Sequence, residues 1–510
     1  MGSRPRGCSC HARLVVGGFH AGQSRSSIDP ANGMGSCCSP WLAWCAHSHA
    51  SILSLSQRHP LCRPHDVSGY GDVRPVRMAR ATSQICIMTQ TEKKLRLLYS
   101  TREKYPTYRV DLTELFSAGI VSHEISIDWH MQRMEPGGSE LASLNAQERV
   151  FVGASVRDRN LPGKAVNHLL GLWHDTRLGF LAARGSYDAV QVRDKFYAGL
   201  TGLIGARLAG ARFFFWMSYP YPEEDLFKVR DQEIHLSPLR RLFYALRGRF
   251  TDFLLYRLVL PRADHVFVQS DRMCEDVAAR GIPVERMTPV PMGISVDRIR
   301  AFRAEVVVEP EANTLLYMGT LIKVRRIDFL IEVLARVRER VPDARLILVG
   351  DAPEDDMRFL REMADRLGLT EYVEFTGFVP MEEAWRRVAR AAVCLSPFRP
   401  SPILDSTSPT KVVEYLALGR PVVANEHPDQ SKVLGESGAG FVVPYDVDAF
   451  AEAVVRLLSD RELRETMAAK GPAYVEKERS YEALSARLAE KYRRLLTLED
   501  GAEGEGEEGK

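Results

Sequence analysis

The stretch SPTKVVEYLALGRPVVA, residues 408–424, combines a proline-containing loop, a helix and the start of a strand. Lys411 lies in the first turn of this predicted helix, where free N–H groups and the helix dipole favour bound anions. Glu414 lies one turn further on, and a carboxylate so close to an anion site is best explained by bonds to hydroxyls such as those of a ribose. Gly419 ends the helix. An ordinary capped helix with a solvated lysine and glutamate fits the same spacing.

A second stretch, YMGTLIKVRRIDFLIE at residues 317–332, contains a strand end, a basic loop and the start of a helix. Gly319 permits close approach of the backbone to a ligand. The loop cations Lys323, Arg325 and Arg326 suit a diphosphate, although a solvated basic loop is the simpler alternative for any one of them. In a doubly wound domain both stretches lie at the carboxyl ends of parallel strands, where ligands bind.

Short apolar runs alternate with helical patterns along most of the chain, which predicts the α/β class with parallel sheets. Strands are predicted at 93–100, 123–130, 187–194, 211–220, 263–270, 314–320, 344–351, 371–379, 391–398 and 420–425, with helices at 109–120, 327–341, 412–419 and 447–459. Because 510 residues exceed what one hydrophobic core holds, we expect two facing doubly wound, Rossmann-like domains with a cleft between them.

The domain boundaries follow from changes in composition. We expect an N-terminal domain at 93–300, a linker at 301–313, a C-terminal domain at 314–475, and a last helix at 476–498 that crosses back to the N-terminal domain. The acidic, glycine-rich tail 499–510 is predicted to be disordered. The segment 1–92 is predicted to be disordered or an over-extended start, with Met88 as an alternative beginning, because it has no sustained apolar period.

Charge and cysteine content exclude several classes. The 68 basic and 66 acidic residues nearly cancel, so bulk charge does not indicate a nucleic-acid partner. Seven of the nine cysteines precede residue 88, and the remaining two predict a reducing, cytoplasmic location without a disulfide framework. The charge-free run 34–57 is too polar to span a membrane.

The C-terminal half resembles the donor-binding domain of family-four glycosyltransferases, which have the GT-B fold. The family pattern Gly-x-Leu-x-x-x-basic-x-x-Asp is matched by Gly319, Leu321, Arg325 and Asp328. The strand 346–351, the TGFV turn at 376–379 and the 408–424 stretch follow in the family's order, so that the resemblance covers roughly residues 312–475. The N-terminal half resembles the family more weakly, through its strand order, the QS pair at 269–270 and the PVPMGISVD stretch at 289–297.

The resemblance implies a retaining glycosyltransferase that moves a sugar from a nucleotide-diphosphate sugar to a polysaccharide or a lipid-linked glycan. It assigns the donor diphosphate to Arg325 and Lys411, and the donor ribose to Glu414. The other donor-binding candidates are Gly319, Thr320, Gly377, Phe378, Ser408, Pro409 and Thr410. No cofactor is expected, and no metal, because fixed cations and a helix N-terminus are available and no Asp-x-Asp motif ends a strand.

The sequence departs from the family pattern at two positions. Thr320 stands where members often have arginine, and Ser406 stands where many have a glutamate eight residues before Glu414. These departures keep open a non-catalytic scaffold that binds nucleotide sugars. A nucleotide-sugar epimerase is a further alternative, which would need acidic and histidine groups around the sugar.

Acceptor-side candidates follow two strands of the N-terminal half. Asp194, with Arg193 before it, ends one strand and is the third catalytic candidate. Trp216, Ser218 and Tyr219 end the next. These aromatic residues could stack on sugar rings, whereas the run 213–215 is interpreted as a buried strand. His174 and Asp175 form a weaker candidate pair.

The segment 236–262 has six arginines, one aspartate and apolar residues at helical spacing. A basic amphipathic helix of this type binds membrane interfaces, which would place the protein peripherally on the inner face of the cell membrane. A helix packed on the N-terminal sheet with its arginines in water is the alternative.

Overall fold

The structure is a computed structural model that describes residues 94–145, 148–157, 160–231 and 236–497. The predicted extension 1–92 and the acidic tail 499–510 lie outside these residues. The described residues form two mainly parallel sheets, each covered by helices. The predicted α/β class and the two Rossmann-like domains are therefore confirmed. None of the helices in the described ranges is long and apolar enough to cross a membrane.

The N-terminal domain alternates strands and helices as the apolar runs predict. Its strands are β1 Leu95–Tyr105, β2 Ile125–Arg133, β3 Glu140–Asn145, β4 Glu148–Gly153, β5 Ala189–Arg193, β6 Arg212–Met217, β7 His265–Val268 and β8 Met287–Pro289. Its helices are α1 Asp111–Ile120, which is π-helical, α2 Leu161–Arg184, α3 Phe196–Ala209, α4 Tyr221–Arg230, α5 Pro238–Phe253 and α6 Asp271–Ala278. Helix α7, Val296–Glu305, follows this domain and packs on the C-terminal core.

Within the described residues these eight strands form one sheet in the order β3-β4-β2-β1-β5-β6-β7-β8, in which β3 alone is antiparallel to its neighbour. The central strands are buried on both faces, as parallel strands between two helix layers must be. Phe213, Phe214 and Phe215 are fully buried, which confirms their interpretation as a core strand. The sheet brings the ends of β1, β5 and β6 side by side, because Thr101 pairs with Arg193 and Arg193 with Trp216.

The C-terminal domain repeats the pattern. Its strands are β9 Thr314–Met318, β10 Arg345–Val349, β11 Val373–Phe375, β12 Val393–Ser396, β13 Val422–Asn425 and β14 Gly440–Val443, in the order β11-β10-β9-β12-β13-β14 among the described residues. Its helices are α8 Asp328–Arg338, α9 Glu354–Arg366, α10 Met381–Arg390, α11 Pro402–Asp405, α12 Thr410–Ala417, α13 Pro428–Ser437, α14 Val447–Ser459 and α15 Arg461–Tyr474. All neighbouring strands are parallel, so the loops after them meet at one edge.

The connections between the domains differ in extent from the predicted ones. Helix α7 continues through Glu305 into the segment predicted as a linker, so only 306–313 is irregular. The last helix, α16 Tyr481–Thr497, starts later than residue 476 and packs on the N-terminal sheet. There the hydroxyl of Tyr492 donates to Gln191 Oε1 at 2.7 Å. The chain thus crosses between the domains twice.

Helix α5 carries an exposed apolar stripe on the N-terminal domain. Its apolar side chains are exposed: Leu239 by 77%, Leu246 by 59% and Phe250 by 62%. In the π-helical turn that follows, Leu254–Val259, the side chains of Leu254, Leu255, Tyr256 and Val259 are buried instead. The alternative for the segment 236–262 is a helix that packs its apolar residues on the N-terminal sheet. The buried residues of 254–259 agree with this alternative, whereas the exposed apolar residues of α5 do not.

Candidate functional site

Two glycines bring backbone segments together at the carboxyl edge of the C-terminal sheet. Gly319 follows β9 with φ +150°, and Gly350 follows β10 with φ +142°, a region that L side chains rarely adopt. A Cβ at Gly350 would lie 1.9 Å from the Gly319 carbonyl oxygen, so the two loops touch through bare backbone. Gly377 forms a β-bridge with Gly350, and the adjacent Phe378 is 42% exposed at the same edge.

Lys411 projects from the first turn of α12 toward this backbone and is only 2% exposed. A Cβ at Gly319 would lie 3.2 Å from Lys411 Cε. Lys411 Nζ lies 5.1 Å from the ring centre of Tyr317 and 4.9 Å from that of Phe398. Burial holds the pKa of Lys411 well below its usual value, and the nearby Arg325 lowers it further. A bound anion would reverse both effects.

Arg325 ends the short helical turn Lys323–Arg325 and is partly buried. Its guanidinium lies near the buried Tyr317 hydroxyl, where it opposes the rise that burial causes in the pKa of that tyrosine. The neighbouring Arg326 points elsewhere, since its Nε lies 3.0 Å from Asp328 Oδ2. Of the three loop cations, Arg325 is therefore the one that shares a site with Lys411.

Glu414 lies one turn after Lys411 and is partly buried. Burial raises the pKa of its carboxyl to about 7, against the opposing effect of Lys411. Thr410 precedes Lys411 and Thr320 follows Gly319, and each has a buried hydroxyl oxygen with no hydrogen-bond partner among the described residues. These groups provide a concentration of positive charge, a carboxyl group and two hydroxyls at one helix N-terminus.

Ser408 and Pro409 are both buried, but the Ser408 side chain points away from this site. Its hydroxyl donates to Asp429 Oδ2 at 2.8 Å and accepts from the Met292 backbone N–H at 3.0 Å. Ser408 therefore joins the two domains, and only its backbone is left for a ligand. Ser406 also joins the two domains. Its hydroxyl donates to Asp276 of α6, and its carbonyl oxygen accepts from Ser270 Oγ at 2.7 Å.

The opposite wall of the cleft carries Asp194, which directly follows β5. Asp194 is buried with φ +55°, a strained value for a residue that is not glycine and a frequent feature of functional sites. Its carboxylate accepts the Ser218 backbone N–H at 2.9 Å and the Ser218 hydroxyl. Arg193 Nε lies 3.6 Å from Asp194 Oδ2. Burial nevertheless raises the pKa of Asp194.

Asp194 belongs to a network that also contains Asp111 and two arginines. Arg193 Nη2 lies 2.6 Å from Asp111 Oδ2, and Arg109 Nε lies 2.7 Å from Asp111 Oδ1. Burial alone would raise the pKa of Asp111. The attraction of Arg109 and Arg193 outweighs this desolvation, so that the pKa lies far below its usual value. Asp111 therefore stays ionised and fixes the two arginines next to Asp194.

Two tyrosines show that the walls face each other. Burial raises the pKa of Tyr219, which follows β6, and the guanidinium of Arg325 across the cleft opposes this rise. Burial also raises the pKa of Tyr481 at the start of α16. The carboxylates of Asp111 on one wall and Glu414 on the other raise it further. Arg325 and Glu414 thus share one cleft with the Asp194 network.

Two family models match consecutive parts of the chain. A "Glycosyl transferase 4-like domain" model matches residues 125–293, and a "Glycosyl transferases group 1" model matches residues 312–460. The chain belongs to the group 1 glycosyltransferases.

Curated relatives of this group 1 glycosyltransferase are distant. A GDP-mannose-dependent alpha-(1-6)-phosphatidylinositol monomannoside mannosyltransferase of Mycobacterium tuberculosis is 30% identical over 233 residues, which are 44% of this chain and 60% of that protein. A D-inositol 3-phosphate glycosyltransferase of Corynebacterium urealyticum is 27% identical over 47% of this chain and 59% of its own length. The match therefore spans about 60% of the length of these relatives.

Solved structures confirm the fold. Sucrose-phosphate synthase from Thermosynechococcus elongatus superposes with a TM-score of 0.59 at 17% identity, covering 80% of this chain and 100% of that one. WaaG, a glycosyltransferase involved in lipopolysaccharide biosynthesis, gives a TM-score of 0.54 at 17% identity, with 79% and 99% covered. This group 1 glycosyltransferase therefore has the predicted GT-B fold.

The structure brings most of the predicted residues of this group 1 glycosyltransferase together. Gly319, Arg325, Lys411 and Glu414 form one wall of the cleft, and Asp194 lies in the other. The sequence did not single out Arg109, Asp111, Tyr317 and Tyr481, whose contacts join distant parts of the chain.

His174 and Asp175 do not reach the cleft. His174 is a buried residue of α2 and stacks on His130 of β2 with ring centres 3.6 Å apart, and Asp175 pairs with Lys195. Across the described ranges, we find no group of three or more His, Cys, Asp or Glu side chains arranged to hold a metal ion.

Proposed function

We propose that this protein transfers a sugar from a nucleoside diphosphate sugar to an acceptor hydroxyl, with retention of anomeric configuration and without a metal ion. One observation carries the proposal: Lys411 and Arg325 lie together at the N-terminus of α12, beside the backbone of Gly319. Two such cations disfavour each other's charge, and an anion between them removes the penalty. A diphosphate is the anion that this charge and backbone suit best.

The chemistry follows from the leaving group. As the anomeric C–O bond breaks, negative charge grows on the diphosphate and positive charge grows on the sugar. Arg325, Lys411 and the N–H groups at the start of α12 stabilise the growing negative charge, which is the largest expected contribution to the rate. Glu414 accepts hydrogen bonds from the ribose of the donor, a contact present in the ground state too. Thr320, Thr410, Gly377 and Phe378 complete the donor site.

Asp194 is the proposed catalytic residue on the acceptor side. Its strained backbone and its two bonds from Ser218 fix the carboxylate at the cleft wall. A carboxyl group whose pKa is raised by burial is suited to hydrogen bonding with, and proton transfer from, an attacking hydroxyl. The neighbouring Arg193 and Arg109 limit how far its pKa rises. Retention itself is proposed from membership of the family.

The acceptor is proposed to be a polysaccharide or a lipid-linked glycan at the inner face of the membrane. The mycobacterial relative is named for a phosphatidylinositol-based acceptor. The exposed apolar side chains of α5, interleaved with arginines, favour a membrane contact through 236–262. A soluble acceptor would give no reason for that stripe to remain exposed.

A thermal-shift panel of nucleoside diphosphates and their sugars, followed by donor hydrolysis without acceptor, tests the proposal. At a hundred times its dissociation constant, the correct donor stabilises the protein by about 2.7 kcal/mol. Slow release of nucleoside diphosphate is the expected result with EDTA as without it. Binding without any release would favour the non-catalytic scaffold, and recovery of an epimerised donor would favour the epimerase.

A further inference from the structure

A second cavity, of about 240 Å³, opens at the carboxyl ends of β1, β2 and β4. Its wall includes Lys104 from β1 and Arg157 from the loop after β4, with the apolar Met134 and Val156 between them. Asn167 of α2 forms part of the wall. Its amide is held in place, because it accepts from the Val156 N–H and donates to the Val156 carbonyl, both at 2.7 Å. The cavity therefore has a rigid polar wall and two cations.

The charge of this cavity is not balanced by the described residues. Lys104 and Arg157 are both exposed, and neither forms an ion pair within the part of the chain that the structure describes. Among the residues that the structure describes, no carboxylate lines the cavity. Glu103, next to Lys104, is held by Arg109 at 3.0 Å, and the exposed Glu135 lies in the loop after β2. Two cations around one small cavity favour an anionic ligand.

Arg102 extends this positive charge toward the cleft. It lies two residues before Lys104 on β1, it is exposed, and its guanidinium carbon lies 4.2 Å from the ring centre of Tyr221. Burial raises the pKa of Tyr221, and the Asp194 carboxylate raises it further. Adjacent strands lie about 4.8 Å apart, and the cavity spans the strands on the far side of β1 from β5. Measured across the strands, Lys104 on β1 is therefore roughly 5 Å from β5, which Asp194 follows, and Arg157 after β4 is roughly 14 Å from it.

We propose that this cavity binds a phosphate group of the acceptor, a short distance from the hydroxyl that receives the sugar. The inference rests on the proposed function in that it takes the N-terminal wall as the acceptor side. Two sources supply the same chemistry: the phosphate of a lipid carrier, or that of a soluble phosphorylated glycan. Helix α2 favours the lipid, because it exposes Leu169 by 65% and Trp173 by 64% close to Asn167 in the chain.

The test measures binding to the full chain in the presence of saturating GDP or UDP. Inositol 1-phosphate is the probe, and inositol is its uncharged counterpart. The nucleotide occupies the other anion site, so binding reports on the cavity. We expect the wild type to bind the phosphate in preference to inositol, and less tightly at high salt. Lys104→Gln with Arg157→Gln should weaken binding by at least about tenfold, since charged hydrogen bonds are lost. Arg184→Gln, an exposed cation at the other end of α2, is the matched control.

Vesicles of phosphatidylinositol and of phosphatidylcholine distinguish the two sources. A preference for phosphatidylinositol that the double variant loses identifies a lipid phosphate, and phosphate binding without that preference identifies a soluble acceptor. Equal binding of inositol and its phosphate, or unchanged binding in the double variant, overturns the proposal. Donor hydrolysis by the wild type is measured in parallel. Its absence would contradict the proposed function and leave the result on the cavity standing.

Discussion

Arg479 Nη2 lies 2.6 Å from Asp429 Oδ1, and both side chains are buried, at 4% and 6% exposed. The pair stands where the chain crosses between the domains. Arg479 precedes α16, and its carbonyl oxygen accepts the Ile294 N–H at 2.9 Å. Asp429 also accepts from Ser408, two residues before the helix that carries Lys411. One ion pair thus connects the interdomain crossing to the loop of the donor site.

Asp429→Asn should cost about 3–5 kcal/mol in the free energy of unfolding, because it leaves the Arg479 guanidinium buried without its counter-charge. Urea titration measures the loss. Glu476→Gln is the control, since it removes one of the two carboxylate partners of Arg300, in a pair that is 59% and 61% exposed. Such exposed pairs contribute about 0–1 kcal/mol. Equal losses in the two variants would show that burial does not govern the Asp429 pair.

Acidification should destabilise the N-terminal domain through His174. Burial lowers the pKa of His174 to about 3, with smaller effects from Lys195 and Arg177 in the same direction. The unfolded chain, with a pKa near 6.5, then binds more protons between pH 3 and 6.5, so stability falls as the pH drops through this range. At pH 5 the loss from His174 is about 2 kcal/mol relative to pH 7.

His174→Phe keeps a ring against His130 and removes this titration. Unfolding at pH 7 and pH 5 should therefore show a smaller loss in the variant than in the wild type. His168→Gln, at an exposed position one turn and a half earlier in α2, should keep the wild-type dependence. An unchanged dependence in His174→Phe would place the acid sensitivity elsewhere.

The sequence predicted what depends on local pattern. Fully apolar runs such as β6 and β12 become buried central strands, because a parallel sheet covered on both faces demands that composition. Strands β3, β4, β8 and β14 were not predicted. Strand β3 is a polar antiparallel edge strand, β8 has three residues, and β14 begins with glycine, so none of these three carries a strong apolar period. Strand β4 has only the short apolar run 150–152.

The site was predicted where one helix or loop supplies its residues, as for Lys411 and Glu414 on α12. It was not predicted where the contact joins remote segments. Asp111 and Arg193 are separated by 82 positions, and nothing in the spacing indicates their pairing. The direction of the Ser408 side chain likewise depends on Asp429 and Met292, which belong to other elements. Such contacts are set by tertiary packing.

Membrane contact through α5 predicts a loss of vesicle binding in Leu246→Ser with Phe250→Ser. Both side chains are exposed, so the folded chain should tolerate the change. Burial of each side chain in the membrane interface contributes at most about 1.5–3 kcal/mol to the free energy of binding. Co-sedimentation with anionic vesicles should therefore fall by at least about tenfold. Binding by the wild type should also weaken at high salt, because the arginines act through the surface potential.

Arg249→Gln is the companion variant, since it removes one exposed charge from α5 and leaves the apolar stripe intact. It should weaken binding to anionic vesicles and leave binding to neutral vesicles unchanged. Wild-type binding that is insensitive to both lipid charge and salt would contradict the electrostatic part of this prediction. No binding by the wild type would contradict the whole.

Arg325→Ala and Lys411→Ala should each lower kcat by about 100- to 1000-fold, the range seen when one preorganised transition-state donor is removed. Donor affinity should fall less, because the charge that these cations stabilise is greatest in the transition state. Lys323→Ala is the control from the same loop, and its exposed side chain should be dispensable. Initial rates with and without EDTA measure the effect. Near-normal kcat in both variants, or activity that EDTA abolishes, would overturn the metal-free mechanism.

Glu414→Gln should instead raise KM for the donor and change kcat little. The ribose hydroxyls that we assign to Glu414 are bound in the ground state and in the transition state alike, so their loss removes uniform binding. A hydrogen bond to a charged group contributes about 1.5–3 kcal/mol, which corresponds to a rise in KM of roughly 10- to 100-fold. A donor analogue without the ribose hydroxyls should bind the wild type and the variant equally. If Glu414→Gln lowered kcat as much as Lys411→Ala does, the carboxyl group would be acting on the reacting sugar, and the ribose assignment would be wrong.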